Sequence, residues 1–203
     1  MMQQAVSIRD YFTRPMVVRL SAEENIVREN VMQAMIASRN AYPLANAPDR
    51  EILHNLAARN ILALSNDSVV AAYPVSGLAT NKRVIFSDGR EAYAMCAIDA
   101  LGFHYAFGED IRIESECESC GDKIVLSMHA GCVEVLEGGS DIHVLHTDLE
   151  NNHDWSCSCC NLMHFFSCTE QLDAWQGTHS HGQRTFALDL ETANKVAWML
   201  FAR

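Results

Sequence analysis

Between Ile111 and His146 the chain carries four short β-rich runs in quick succession: IRIES (111–115), KIVLSM (123–128), CVEVL (132–136) and IHVLH (142–146). Gly- and Asp-bearing turns separate them, the pattern of an antiparallel sheet. That sheet organises the second half of the chain. RVIF (83–86) adds a short strand before it, and the SDG turn leads into REAYAMCAIDALG. Good helix formers throughout predict a helix there, stopping at Gly102. It would place Cys96 and Asp99, three residues apart, on one face, with Tyr93 one turn earlier. After the sheet a polar loop, TDLENNHD, precedes WSCSCCNLMHFF (155–166). Ser167 and Glu170 predict the cap of a short helix ending near Gly177. Asp189 predicts the start of a last helix carrying Val196, Trp198, Met199 and Phe201.

The first part reads as mostly helical. Ser21 and Glu24 make a capping-box pair, after which Ile26, Val27, Val31, Met32 and Met35 recur at helical spacing. Pro48 suits the first turn of a second helix whose inward side would be Ile52, Leu53 and Leu56. ILAL (61–64) and VVAAY (69–73) flank SND, a hairpin signal. Helices followed by a small hairpin resemble a winged helix, and PVSGLATNK (74–82) reads as a linker. The expected fold is therefore α+β. A winged-helix-like N-terminal segment over residues 1–80 precedes a mixed, mainly antiparallel sheet domain with flanking helices over residues 81–203.

Charge narrows the function classes. Residues 1–80 carry seven Lys/Arg and seven Asp/Glu, whereas residues 81–203 carry eight and nineteen, which accounts for the net −11. No nucleic-acid partner is expected of such a surface, and the second helix offers only Arg50 and Arg59 to a groove. No apolar run is long enough to cross a membrane. The opening MMQQAVSIRDYFTRP is broken by Arg9, Asp10 and Arg14 and does not read as a signal peptide. The expected compartment is the cytoplasm, where thiols stay reduced. The eight cysteines, all from Cys96 onward, are then ligands, nucleophiles or buried apolar groups rather than bridges.

Three cysteine groups compete for the chemistry. Cys96 with Asp99 offers a thiol beside an acid, a pair able to move a proton; the plainer reading is a buried small residue and a solvated charge. Cys117 and Cys120, in ECESCGDK, have the form of a zinc knuckle. Cys157 and Cys159 could complete a structural or accessory metal site, although 36 residues separate Cys120 from Cys157 and CxCC is not a standard second knuckle. The cluster Cys157, Cys159, Cys160 beside Met163, Phe165 and Phe166 suits a ligand that is half soft metal and half hydrocarbon; core packing alone would also explain the phenylalanines. His143, His146, His153, His164, His179 and His181 are further potential ligands, and His179 and His181 in GTHSHG read as a surface loop.

Taken in order, EAYAMCAIDALG (91–102), a β-rich stretch with a cysteine at 117 and CCNLMHFF (159–166) resemble the organomercurial (alkylmercury) lyase family. The likeness runs from about Tyr73 to Trp175, and the helical N-terminal segment agrees with it. The resemblance implies protonolysis of a carbon–mercury bond, giving a hydrocarbon and Hg(II). It implies Cys96 and Asp99 as the first catalytic cysteine and the acid. Counting back from His164-Phe165-Phe166 without gaps makes Cys160 the second cysteine; a one-residue gap would make it Cys159. Mercury would be gripped by Cys96 and Cys160, with Asp99 as a third contact. No cofactor is implied, because the metal arrives with the substrate, and small thiols or a mercuric reductase would remove the product. The additional thiols, Cys120, Cys132, Cys157 and Cys159, also admit a binder of Hg, Cu or Zn with the same fold and no lyase activity, or a structural zinc. Fold alone does not choose between these.

Overall fold

A computed structural model describes residues 15–45, 47–149, 154–179 and 183–202. Residues 1–14 of the opening read for a leader, residues 150–153 of the 147–154 loop, His153 among them, and His181 lie outside these residues.

Helix α1 (Ala22–Ser38) begins where expected, with the capping box made in full: Glu24 N–H donates to Ser21 Oγ and Ser21 N–H to the Glu24 carboxylate. Its buried face repeats every four residues, through Val27, Val31 and Met35 and through Arg28, Met32 and Ile36, which is the helical period. After the short strand β1 (Tyr42–Pro43) comes α2 (Arg50–Ala57), burying Leu53 and Leu56. Strands β2 (Leu62–Ser65) and β3 (Ser68–Ala72) form the expected hairpin. Its turn residues Asn66 and Asp67 both have positive φ, a conformation Asn and Asp tolerate.

The stretch read as a linker contains β4 (Val75–Ser76), which pairs with β3 on one side and with β6 (Glu91–Ala94) on the other. The sheet continues through β5 (Arg83–Phe86), β7 (Ile111–Glu116), β8 (Lys123–His129) and β9 (Cys132–Glu137). Among the described residues it has nine strands, and every pairing given is antiparallel. β7 alternates as half-buried strands do, with Ile111, Ile113 and Ser115 turned inward. Edge strand β9 is largely exposed and carries Glu134 and Glu137, charges that blunt an open edge.

Two expectations fail here. EAYA (91–94) is strand β6, with alternating burial, not the first turn of a helix. The helix α3 (Ala97–Phe107) starts after it and runs through Gly102 to a left-handed Gly108. Gly102 is a packing position: a Cβ there would lie 2.2 Å from the ring of Phe201. The fourth β-rich run, β10 (His143–Thr147), also leaves the large sheet. It pairs with β11 (Phe165–Phe166) and β12 (Thr185–Asp189) in a three-stranded sheet of its own.

α4 (Thr169–His179) begins one residue later than a cap at Ser167 would place it, with Leu172 N–H donating to Cys168 O at 3.2 Å, and continues past Gly177. α5 (Leu190–Phe201) is capped by Asp189 as expected. It packs on α3, which is buried along most of its length, as a helix apolar on all sides must be. No helix among the described residues is long and apolar enough to cross a membrane.

Candidate active site

The centre of the molecule is where α3 begins. Cys96 is the N-cap of α3, in extended backbone conformation, and its Sγ accepts the Asp99 N–H at 3.4 Å. A thiol therefore occupies the place where Ser or Asp usually caps, at the positive end of the helix. Asp99 sits in the first turn, so the two residues are neighbours through the cap and not by sharing a mid-helix face. Tyr93 belongs to β6, outside that turn.

The second wall comes from a π-helical turn, Trp155–Cys159. Asp154 caps it, and Cys160 ends it by donating its N–H to Trp155 O at 2.8 Å. The chain then passes Met163, whose carbonyl accepts the Ala97 N–H at 2.9 Å. That single backbone bond ties the start of α3 to the segment just after Cys160. It brings two cysteines 64 positions apart to one point.

One ligand atom from each of Cys96, Asp99 and Cys160 lies within 4.8 Å of the others, and all three residues are buried. Around them stand Met16, Tyr73, Ile98, Leu149, Trp155, Met163, Leu200 and Phe201. The Cys96 and Cys160 thiols are within hydrogen-bond reach of each other, and the Tyr73 hydroxyl reaches Cys160. Trp155 closes the cover: its Nε1 donates to Leu149 O at 3.0 Å, its N–H to Asn60 Oδ1 at 3.3 Å, and Arg19 lies over its ring.

Burial sets the electrostatics. It pushes the Asp99 carboxyl up to about 7, against hydrogen bonds from Cys96 and the charges of Arg28 and Lys82, which act downward. Asp99 Oδ2 is buried without a hydrogen-bond partner, so it is a polar atom aimed into apolar space. Burial likewise raises the Cys96 thiol well above its ordinary value, helped by Cys160 and Asp99. Lys82 is itself buried, and burial lowers its ammonium; Nζ lies 2.6 Å from Asn81 Oδ1 and 3.1 Å from His164 Nδ1.

Of the residues singled out from the sequence, Cys96, Asp99 and Cys160 are brought together. Cys159 is buried but lies outside the cavity lining, and burial pushes its thiol up to about 12. Cys117, Cys120, Cys157 and Cys159 do not gather: among the described residues the trio is the one group of three or more His, Cys, Asp or Glu ligand atoms spaced to hold an ion. Cys132 is exposed on β9. Of the histidines, His146 is buried with Nδ1 3.1 Å from Met163 Sδ, His164 pairs with Glu118, His143 contacts Asp141 O, and His179 stacks on Trp175.

Sequence reasoning missed Tyr73, Arg28 and Lys82. Tyr73 looked like the last residue of a hairpin and Lys82 like linker. Arg28 interrupts the apolar face of α1 at a buried position, a signal that was legible; its guanidinium donates to Tyr73 O.

Residues 75–202, well over half of the chain, match the alkylmercury lyase family. An alkylmercury lyase of Bacillus cereus is 28% identical over 116 residues, 57% of this chain and 51% of that protein. The chain thus matches about half the length of that relative. An alkylmercury lyase of Staphylococcus epidermidis is 26% identical over 200 residues, 98% of this chain and 85% of that protein. The fold is that of a solved structure described as the mercury-bound form of MerB2. It superposes with a TM-score of 0.70 at 19% identity, covering 89% of this chain and 91% of that one.

Proposed function

Because the chain belongs to the alkylmercury lyase family, we propose that it cleaves carbon–mercury bonds by protonolysis, with Cys96, Cys160 and Asp99 as its catalytic residues. The observation that carries this reading is the trio itself: two thiols and one partnerless carboxylate oxygen, buried together in an apolar cavity. A soft-metal trap needs the thiols; it has no use for a buried acid held near neutrality.

The substrate is an alkyl- or arylmercury carried as a complex with a small thiol. One cysteine thiol displaces the small thiol, which leaves with the proton. The second thiol then adds to mercury and gives its proton to Asp99. Two thiolates raise electron density at the mercury-bound carbon. Asp99 delivers the proton there, and the carbon leaves with the electron pair of the C–Hg bond. The products are hydrocarbon, free small thiol and Hg(II) on Cys96 and Cys160. A carboxyl near 7 can both take and give a proton at neutral pH. The apolar lining keeps water from competing, and Tyr73 positions the Cys160 sulfur. The reaction draws on no cofactor, and small thiols or a mercuric reductase would take the Hg(II). The function would be mercury detoxification in the cytoplasm, with residues 1–80 acting as a cover for a chemical unit in 81–203.

The test is purified protein with phenylmercury and excess small thiol, with benzene followed by gas chromatography. Benzene should form above the protein-free control and vanish in Cys96→Ser and Cys160→Ser with the fold intact by circular dichroism. Asp99→Asn should hold phenylmercury and release no benzene. Mercury held tightly by the wild type with no benzene would sink the lyase reading and favour a binding protein.

A further inference from the structure

Away from the trio, residues 117–121 form a second thiol pair with its own architecture. Cys117 N–H donates to Asp122 O at 2.7 Å, and Gly121 N–H donates back to Cys117 O at 2.8 Å. Gly121 takes φ +78, which closes the turn. This loop turns the chain from β7 toward β8, and Glu118 N–H ties it to Phe165 O of β11 at 3.0 Å. Within it the backbone of Ser119 and Cys120 and the residue Ser167 offer donors to the Cys117 thiol. Cys120 Sγ accepts the Asp122 N–H and lies 3.7 Å from Ser167 Oγ, and the two thiols are within hydrogen-bond reach of each other. Converging N–H and O–H donors are what a thiolate needs.

The two sulfurs divide the charge unequally. Burial raises the Cys117 thiol, but the donors around it outweigh this and leave it below its ordinary value. At Cys120 the Asp122 N–H and Ser167 hydroxyl act downward. Burial, Cys117 and the Asp122 carboxylate win, and that thiol is raised. The donors of the loop thus favour Cys117 over Cys120 as the more acidic thiol. Cys117 is buried and Cys120 exposed, so a ligand would enter from the Cys120 side. No third His, Cys, Asp or Glu ligand among the described residues completes a cluster there. A tetrahedral zinc site would want four.

We propose that Cys117 and Cys120 form a second metal site, for a two-coordinate thiophilic cation, and that Hg(II) is the cation it takes. Binding replaces the two thiol protons with metal–sulfur bonds; the protons go to solvent and no electron moves. Thiolates select soft metals, and a pair with no further ligands suits a linear ion. The choice of Hg(II) rests on the reaction proposed above, whereas the site itself does not.

The experiment uses the full chain carrying Cys96→Ser and Cys160→Ser, so no turnover is read. Hg(II) is supplied with excess free cysteine, bound metal is measured by equilibrium dialysis, and X-ray absorption counts the sulfur neighbours. One tightly held Hg(II) per chain with two sulfur neighbours is expected. Adding Cys120→Ser, at an exposed position that leaves the loop's backbone bonds in place, should weaken it by about a hundredfold or more, as loss of an intramolecular second ligand does. Unchanged retention after Cys120→Ser overturns the site, as does four-coordinate Zn(II) held in preference to Hg(II). Failure of the lyase reading would show in the benzene assay and leave this result untouched.

Discussion

Asp99 is held at a cost. Its carboxyl titrates near 3.8 when unfolded and near 7 when folded, so between these values the folded state binds the extra proton. Stability therefore falls as pH rises through that window, and the full penalty, on the order of 4 kcal/mol for such a shift, is present above it. Asp99→Asn removes the charge and the penalty. Calorimetry should find the variant's melting temperature above that of the wild type at pH 8, with the difference vanishing by pH 4. A difference that does not depend on pH would mean that the carboxyl is not raised. The pairing of Cys96 with Asp99 was legible from their spacing, whereas Cys160 rested on the resemblance to the alkylmercury lyase family, counted back from His164, with Cys159 as its alternative. What spacing could not give was the cap geometry, because a cysteine is a rare capping residue and gives no local signal of one.

At the scale of elements the packing of α3 on α5 positions the site, since α3 carries Cys96 and Asp99 while Leu200 and Phe201 of α5 line the cavity. Gly102 permits the close approach. Gly102→Ala would drive a methyl into a buried ring and should cost about 1–3 kcal/mol, as overpacking does; a lowered urea midpoint with an unchanged slope would record it. An unaltered midpoint would mean that Phe201 swings aside freely. Gly102 was read from sequence as a stop. Glycine has poor helix propensity, but tertiary contact overrides propensity, and Gly108 supplies the left-handed stop instead. EAYA was read as helix because its residues suit one. Pairing with β4 and β5 decided otherwise, and such partners are invisible along the sequence. β10 left the large sheet for the same reason: a β-rich run states that it will pair, not with what.

The molecule as a whole reaches its site from both ends. Arg28 on α1 and Lys82 before β5 both act on Asp99, from 71 and 17 positions away in sequence. Removing either charge as Arg28→Met or Lys82→Met should move the inflection of the pH–rate profile near 7 upward, because each cation favours the carboxylate. Inflections that stay in place in both variants would refute that long-range assignment. The helix-and-hairpin order of the first part was legible, as was the acidic balance of the second. The joining strand β4 was not, since two residues in a Gly- and Pro-bearing stretch carry no periodicity.

The Asp99 N–H bonded to the Cys96 sulfur gives the site a reporter of its own. A sulfur committed to mercury has less electron density to lend a hydrogen bond. In a proton–nitrogen correlation spectrum the Asp99 amide should therefore move upfield in its proton dimension as the metal arrives and return when a scavenging thiol strips it. Occupancy of the catalytic centre could then be followed in real time, without a chromophore and without turnover.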